Sequence, residues 1–342
     1  DNLHLGVEVG YRLFNGWRDQ AGLDGARARE TASRMELATV RSQLAFEVVR
    51  AFNLIVQAEA MVQSHGAMVS AMDESIRTAR VRQQEGLLLA SELLDLEVQQ
   101  AVSRENLSQA RHNLALARRV FLNLLGLKEG SGEVSSEGID AQEMPQPLAA
   151  GKRPELLGME AMLLGAEARV RQARGGNYPA IDGYAGYGTD SGLVTDEAGD
   201  SWELGVRLRY NLFDGHRTSA EVGAARAMLA ELREQKRKTE LAISLEVERA
   251  TLALTDAEER LRVSEKTVAA AQESARVNRA RFKEGLVLAA DMIGVETRLT
   301  EAMLRRAVND AARRVAIADL RRAMGLSQFR EQPEPPPTTT TP

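Results

Sequence analysis

The sequence predicts a mainly α-helical protein with some β-structure, in which long antiparallel coiled-coil hairpins join transmembrane β-barrel strands. Three observations support this fold class. Two very long proline-free stretches are rich in Ala, Leu, Val, Glu and Arg. Segments in which apolar and polar residues strictly alternate come directly before both stretches. The second part of the chain also repeats the first at a constant offset, so the fold is predicted to be internally duplicated.

The overall composition favours long helices over a conventional globular core. Aromatic residues make up 4% of the 342 residues, and the Ala-, Leu-, Glu- and Arg-rich remainder is typical of coiled coils. The net charge of -5 and the even spread of Lys and Arg give no basic patch for nucleic acid. The chain contains no cysteine, which excludes disulfides and thiolate chemistry. No uninterrupted apolar segment of about 18 residues occurs, so no transmembrane helix is predicted.

The duplication is recognised by adding 199 to residue numbers in the first third of the chain. The match runs through a strand, a long helix, a turn and a second helix without insertion or deletion. The clearest pairs are Leu13-Phe14-Asn15-Gly16 with Leu212-Phe213-Asp214-Gly215, Glu85-Gly86-Leu87 with Glu284-Gly285-Leu286, Glu97 with Glu296, and Gly126-Leu127 with Gly325-Leu326. One register held through elements of different periodicity predicts two copies of the same unit.

Two segments alternate with the period of a β-strand that has one apolar and one polar face. They cover residues 3–13 and 202–212. Their apolar positions are Leu3, Leu5, Val7, Val9, Tyr11 and Leu13, and Trp202, Leu204, Val206, Leu208, Tyr210 and Leu212. One interpretation is a half-buried strand in a soluble sheet. The other is a strand of a transmembrane β-barrel, for which about 10 alternating residues with aromatic ends are typical.

Two long helices follow these strands. Asn15 and Asp214 are placed to cap their N-termini, because short polar side chains accept hydrogen bonds from free backbone amides. Each helix continues without proline for about 70 residues, or about 100 Å at 1.5 Å per residue. They are predicted to end at Gly86 and Gly285, since glycine readily adopts the left-handed conformation that closes a helix.

Shorter return helices are predicted at Ala90–Leu125 and Ala289–Met324. Apolar residues spaced alternately by four and three positions form a heptad seam from Ile243 to Ala271, and the first copy has the same spacing from Leu44 to Met72. A return helix and a further helix, Pro154–Arg174, together approach the length of one long helix. Two short helices stacked beside a long one would form an even-walled helical barrel (α-barrel).

The sequence divides into four predicted segments: a first repeat (1–127), a linker (128–152), a second repeat (153–326) and a tail (327–342). The tail is rich in Pro and Thr and is predicted to be disordered. Within the second repeat, Pro154 suits the first turn of a helix. A strand rich in Gly and Tyr is predicted at Tyr178–Gly188, and a polar loop at Asp190–Asp200 leads into the next strand.

No pattern in the sequence is typical of an enzyme or of a cofactor site. The four histidines, His4, His65, His112 and His216, are far apart in the chain. His65 falls on the heptad seam, where a packed or partly exposed histidine is favoured over a metal ligand. No phosphate-binding glycine loop and no nucleophile–base pattern is present. We therefore expect no enzymatic activity, no cofactor and no metal site.

Carboxylates follow both glycine turns. Glu92 corresponds to Asp291 at the offset of 199, whereas Asp95 corresponds to Gly294. One interpretation is that these acids stabilise the first turns of their helices through the helix dipole. The other is an acidic ring at the narrow end of a duct, which would select cations.

These motifs resemble those of the TolC-type outer-membrane factors, the exit ducts of bacterial tripartite efflux pumps and type I secretion systems. The resemblance covers residues 3–326 and rests on four motifs: Leu-Phe-Asn-Gly at 13–16, Leu-Phe-Asp-Gly at 212–215, Arg-Phe-Lys-Glu-Gly-Leu at 281–286 and Met-Gly-Leu at 324–326. It implies a homotrimer in the bacterial outer membrane with a large periplasmic part. The implied partners are membrane lipid, a periplasmic adaptor (membrane fusion) protein and, indirectly, an inner-membrane pump.

The resemblance also implies roles for residues near the turns. The adaptor-contacting tips map to Gly86, Leu87, Gly285 and Leu286. The gate maps to Asp291, with Glu92, Asp95 and Phe282 as further candidates. Val287 and Gly294 stand where the family has an arginine and a second aspartate, and Phe282 lacks the hydroxyl of the family's tyrosine.

The predicted function is passive export through a trimeric duct that opens at its periplasmic helix tips. The family has a helix and a strand before the strand seen here at Leu3, so we expect the natural protein to be longer at its N-terminus. The alternative is a soluble periplasmic coiled-coil adaptor or structural protein. That alternative accounts for the helices but not for the amphipathic strands.

Overall fold

The computed structural model describes residues 2–128, 153–192 and 198–329. In chain order the elements are β1 (Asn2–Phe14), α1 (Arg18–Gln84), α2 (Ala90–Leu124), α3 (Pro154–Arg174), a short 3-10 helix (Gly175–Asn177), β2 (Ala180–Gly192), β3 (Ala198–Arg209), α4 (Arg217–Glu284) and α5 (Ala289–Ala323). The predicted long helices, return helices and Pro154–Arg174 helix are confirmed to within a residue or a few. Over the described ranges, no helix combines the length and apolarity needed to cross a membrane. The predicted linker after residue 128 and most of the predicted tail lie outside the described residues.

The three strands form one antiparallel sheet in the order β1-β2-β3. Residues on neighbouring strands pair directly across the sheet: Val7 lies opposite Tyr187, and Tyr187 lies opposite Trp202. The pairing shifts between Arg12 and Phe14, where β1 ends. The sheet is therefore twelve to thirteen residues long along each strand.

The loop predicted at Asp190–Asp200 is wrong in its extent. Strand β2 continues to Gly192 and β3 begins at Ala198. Asp190 lies opposite Gly199 in the ladder. Backbone pairing thus overrides the polar composition of this stretch, which had favoured a loop.

The alternation predicted for the strands is confirmed, and it produces one apolar face that is exposed. Its large side chains each expose more than half of their surface; they are Leu5, Val7, Val9, Tyr11, Tyr187, Trp202, Leu204, Val206 and Leu208. In an ordinary soluble sheet such a face would pack on a core. Here no described part of the chain covers it.

The opposite face of the sheet carries charged and polar residues that contact each other. The Nε atom of Arg12 lies 3.5 Å from Asp182. The guanidinium of Arg207 lies over the ring of Tyr184, 4.9 Å from its centroid. The two faces thus differ in chemistry as well as in exposure.

The chain separates into two compact units. One comprises residues 1–39 and 151–242, and the other residues 40–150 and 243–342. The first contains the sheet, α3 and the N-terminal parts of α1 and α4. The second contains α2, α5 and the C-terminal parts of α1 and α4.

In the first unit, α3 packs closely on α1 because glycines and alanines line the contact. A β-carbon added at Gly165 would lie 3.5 Å from the β-carbon of Ala28. Helix α3 also reaches α4 through an ion pair of 2.9 Å between Glu160 and Lys236. Small residues therefore set the spacing of one helix pair, and charges join the other.

The predicted N-caps of both long helices are confirmed. The Oδ1 atom of Asn15 accepts hydrogen bonds from the backbone N of Arg18 at 3.1 Å and of Asp19 at 3.4 Å. Asp214 accepts from the backbone N of Thr218 at 2.9 Å and from its hydroxyl at 2.5 Å. Each cap supplies acceptors for amides that lack a partner within the helix.

In the second unit, the heptad seam predicted on α4 is confirmed. Its buried members are Ile243, Ala250, Leu254, Ala257, Ser264 and Val268. On α1 the seam is only partly right, because Leu44 is 48% exposed whereas Phe46 and Val49 are buried. These two pack on Ala318 of α5, so α1 has a second packed face that a single heptad seam does not describe.

Candidate functional site

Both glycines predicted to end the long helices adopt the left-handed conformation. The φ angles are +75° at Gly86 and +81° at Gly285. Other residue types adopt this region at a cost in strain. The turns therefore require glycine at both positions.

The two turns are closed by the same pair of backbone hydrogen bonds. In the first turn, Gly86 donates to the Gln83 carbonyl at 3.0 Å and Leu87 donates to the Arg82 carbonyl at 2.8 Å. The second turn repeats them from Gly285 to Phe282 at 3.1 Å and from Leu286 to Arg281 at 2.9 Å. This is the hydrogen-bond pattern of a Schellman motif. The backbone shape is thus alike at both tips.

Phe282, a predicted gate residue, is 2% exposed in the folded chain. Its ring lies in an apolar cluster to which α1, α2, α4 and α5 all contribute. The other buried members are Met68, Met72, Ile76, Ala79, Leu96, Ala289 and Met292. The ring therefore anchors the end of α4 against the end of α1.

Arg82 joins the two turns. One guanidinium nitrogen donates to the Phe282 carbonyl at 3.0 Å, and another donates to the Leu87 carbonyl at 3.4 Å. The guanidinium also lies 5.7 Å from the centre of the Phe282 ring. A β-carbon at Gly285 would lie only 2.7 Å from this guanidinium, so glycine leaves the room that Arg82 occupies.

An ion pair adds a second polar link between α1 and α4. The Nζ atom of Lys283 lies 2.8 Å from the carboxylate of Glu74. The hydrogen bond from Lys283, followed by its charge, lowers the pKa of Glu74. Both side chains are more than half exposed, so water weakens the attraction between them.

We expect the coupling between Glu74 and Lys283 to be about 0.2–1 kcal/mol, as for other exposed ion pairs. Because the pKa of Glu74 is lowered on folding, this stabilisation is present above its ordinary value of 4.5 and is lost as the pH falls through the lowered value. A double-mutant cycle of Glu74→Ala and Lys283→Ala, read by hydrogen exchange of the tip at neutral and at acidic pH, measures it. A coupling that does not weaken at acidic pH would contradict this account.

Each hairpin has an arginine–glutamate ion pair at equivalent positions, and the two ion pairs differ in burial. Arg279 donates twice to Glu296, at 2.5 and 2.7 Å, and Glu296 is 1% exposed. The hydrogen bond from its guanidinium to Glu296 raises the pKa of Arg279. At the corresponding positions, Arg80 donates once to Glu97 at 2.8 Å on the exposed surface. The second hairpin thus buries the carboxylate of its pair and the first does not.

The predicted gate carboxylates occupy different environments. Glu92 is partly buried and its Oε2 atom accepts from the backbone N of Leu89 at 3.3 Å, so it helps to cap α2. Asp95 and Asp291 are exposed, in the second turn of α2 and the first turn of α5. Among the described residues, neither of these two aspartates forms an ion pair or a side-chain hydrogen bond. Their charges are therefore available to ions or to a partner.

The predicted adaptor-contacting residues lie on the surface of the tips. Leu87 is 64% exposed and Leu286 is 69% exposed. Leu89 and Leu288, two residues further on, are exposed to a similar degree. Each tip therefore presents apolar side chains to its surroundings.

Sequence reasoning did not predict the contacts that Arg82, Glu74 and Lys283 make at the tips. Arg82 occupies the position that corresponds to Arg281, and the sequence does not show which of the two arginines contacts the opposite turn. The pairing of Lys283 with Glu74 joins residues 209 positions apart, which no local pattern indicates. These contacts are seen only when the two turns are brought together in the folded chain.

The described chain combines long helical hairpins, an exposed apolar sheet face and exposed apolar tips. The family model described as outer membrane efflux protein matches residues 1–127 and 147–326. The chain therefore belongs to the outer membrane efflux protein family. The relatives that it matches are outer membrane proteins, which places this chain in the bacterial outer membrane.

Two curated relatives are similar to this chain. The outer membrane efflux protein BepC of Brucella suis is 20% identical over 234 residues, which are 67% of this chain and 51% of BepC. The pyoverdine export outer membrane protein OpmQ of Pseudomonas aeruginosa is 23% identical over 337 residues, which are 95% of this chain and 69% of OpmQ. The chain thus spans about half of the length of BepC.

Solved structures share the fold. A crystal structure of CusC gives a TM-score of 0.83 at 18% identity, covering 95% of this chain and 78% of that one. The open state of the MtrE channel of Neisseria gonorrhoeae gives 0.80 at 17% identity, covering 97% and 81%. The outer membrane protein VceC of Vibrio cholerae gives 0.79 at 16% identity, covering 96% and 87%. At these identities the likeness establishes the fold alone.

Proposed function

We propose that three copies of this protein assemble into a passive export duct of a tripartite efflux pump or type I secretion system. The observation that carries the proposal is the exposed apolar face of the sheet, on strands that lead into helices of 67 and 68 residues. A membrane covers the sheet face, and the helices form a periplasmic tunnel wall. Family membership favours this function over the alternative of a soluble adaptor.

The strands of each copy contribute to a shared β-barrel in the outer membrane. Alternate residues of β3 from Trp202 to Leu208 point to the apolar face, and Tyr210 continues the sequence alternation just past the strand. The nine residues from Trp202 to Tyr210 match the length of a tilted transmembrane β-strand, about 9–11 residues. Aromatic residues at both ends of that span suit the two membrane surfaces. The lipid of the outer membrane is thus the partner of this face.

An internal duplication accounts for the two hairpins. Helices α4 and α5 begin 199 residues after α1 and α2. Glycines with positive φ recur at the same spacing: Gly16 and Gly215, Gly86 and Gly285, Gly126 and Gly325. In a trimer, two such hairpins per subunit give a ring of six alike units around the tunnel.

The hairpin tips dock a periplasmic adaptor protein, which connects the duct to an inner-membrane pump. The contact residues are Gly86 and Leu87 on the first tip and Gly285 and Leu286 on the second. Exposed leucines beside a tightly turned backbone favour an apolar contact with the partner. The pump supplies the energy and selects the exported substrate.

The same tips form the gate. Asp291, Glu92 and Asp95 place carboxylates just beyond the turns, and three subunits bring them together as an acidic ring at the narrow end of the duct. Such a ring favours cations. Phe282 holds the second hairpin in place from within the subunit, so its role at the gate is positional.

The experiment that tests the duct is single-channel recording in a planar bilayer. We expect Asp291→Ala combined with Glu92→Ala to weaken the preference for cations and to change the conductance, because the ring loses two of its three carboxylates per subunit. The matched control is Glu105→Ala with Glu301→Ala, which removes exposed carboxylates from the same two helices away from the turns. If the tip pair and the control pair leave conductance and cation preference equally unchanged, the acidic ring is wrong. If the unmutated protein forms no pore, the duct itself is wrong.

A further inference from the structure

Equivalent arginines precede the two tips, but only one of them is engaged. Arg82 donates to the Phe282 carbonyl of the opposite turn at 3.0 Å. Arg281, at the corresponding position of the second hairpin, is exposed. In the part of the chain that the structure describes, its side chain forms no hydrogen bond and no ion pair. One of two alike donors therefore lacks an acceptor within the subunit.

The two turns also differ: the second turn receives the Arg82 side chain, whereas the first turn receives no such contact within the described residues. The Phe282 carbonyl accepts from Gly285 and also from Arg82, and the guanidinium lies against Gly285. The Gln83 carbonyl accepts from Gly86 in the same turn geometry, and no atom lies within 4 Å of the place where a β-carbon of Gly86 would be. A carbonyl oxygen has two lone pairs, so the first turn offers the acceptor and the space that Arg82 uses at the second.

We propose that Arg281 docks on the first turn of a neighbouring copy, where its guanidinium donates to the Gln83 carbonyl and lies over Gly86. The inference rests on the proposed trimer, in which the second hairpin of one subunit stands beside the first hairpin of the next. A cation is favoured at a helix C-terminus, where free carbonyls carry partial negative charge. The gate is therefore completed by a residue from the partner copy.

This contact between copies is weaker than the one inside the subunit. Phe282, buried in the tip cluster, corresponds to the polar Gln83. Lys283, paired with Glu74, corresponds to the uncharged Gln84. The counterpart of Glu74 is Glu273, which is already held by Arg276 at 2.6 Å. The joint between copies thus has the arginine contact without an aromatic anchor or an ion pair, and it is the joint at which the tips separate when the duct opens.

Site-specific photocross-linking of the full chain tests the contact. Two differently tagged copies are co-expressed with p-benzoylphenylalanine in place of Arg281, irradiated in detergent, and mapped by mass spectrometry. We expect a product that carries both tags and joins residue 281 to residues 81–88 of the other copy. The photoreactive residue in place of Arg82 is the positive control, which should link to residues 281–288 of its own chain.

The exposed Lys266 on the same helix is the matched control position, about 22 Å from Arg281 at 1.5 Å per residue. A photoreactive residue there should give no link to residues 81–88. The proposal is overturned if the protein is trimeric by native mass, the control at 82 links as expected, and position 281 gives no two-tag product or one that maps elsewhere. A native mass of one copy overturns the trimer itself, and this contact with it.

Discussion

Replacing Phe282 by alanine is expected to loosen the tip by about 3–5 kcal/mol, the range for removing a large buried aromatic side chain. The ring is 2% exposed and packs against fully buried methionines, Met72 and Met292. Its loss leaves a cavity in the apolar cluster that joins the two hairpins. Hydrogen exchange of peptides covering residues 68–80 and 288–296 measures the change, since both segments line the cluster.

Leu286→Ala is the matched control for this prediction. The two residues are four positions apart at the same tip, but Leu286 is 69% exposed. Exposed substitutions of this kind usually change stability by less than about 0.5 kcal/mol. Equal exchange rates for the two variants would show that the buried cluster does not hold the hairpins together.

Replacing Leu204 by arginine is expected to cost about 2–4 kcal/mol of folding into a bilayer, because a charge then faces the apolar interior of the membrane. Leu204 is 77% exposed on the apolar face of the sheet. Refolding from urea into lipid vesicles, followed by titration with urea, measures the difference from the unmutated protein.

The adjacent residue supplies the control for that substitution. Glu203 precedes Leu204 on the same strand and points to the polar face, where its side chain lies over Gly186. Glu203→Arg should therefore fold into vesicles almost as well as the unmutated protein. Equal losses of folding stability for the two variants would show that the two faces of the sheet do not lie in different environments.

Much of the fold was predictable because it depends on local chemistry. Period-two alternation identified the outer strands, and glycine identified both turns at Gly86 and Gly285. Asn15 and Asp214 cap the long helices because their side chains are short enough to reach the first free amides. Each of these features is decided by a few neighbouring residues.

The interior of the tip was not predictable, because alike sequences meet different neighbours. The Arg80–Glu97 and Arg279–Glu296 pairs have the same residues at the same spacing. Only Glu296 is buried in the folded chain. The sequence of one segment does not show which other segment packs against it.

The same limit applies to the gate. Phe282 was predicted to lie at the gate because the family has a tyrosine there, whereas its ring is buried inside the subunit. Phenylalanine lacks the tyrosine hydroxyl, so the sequence predicts the loss of a side-chain hydrogen bond. The Phe282 carbonyl instead accepts a bond from Arg82, and backbone acceptors are invisible to a comparison of side chains.

The central claim is that lipid covers the apolar face of the sheet, and tryptophan fluorescence tests it most directly. The chain has two tryptophans, Trp17 and Trp202, so Trp17→Phe leaves Trp202 as the single probe. In vesicles containing lipids brominated on the acyl chains, we predict strong quenching of Trp202 and protection from iodide in the water. Strong quenching by iodide with no effect of the brominated lipids would contradict the claim.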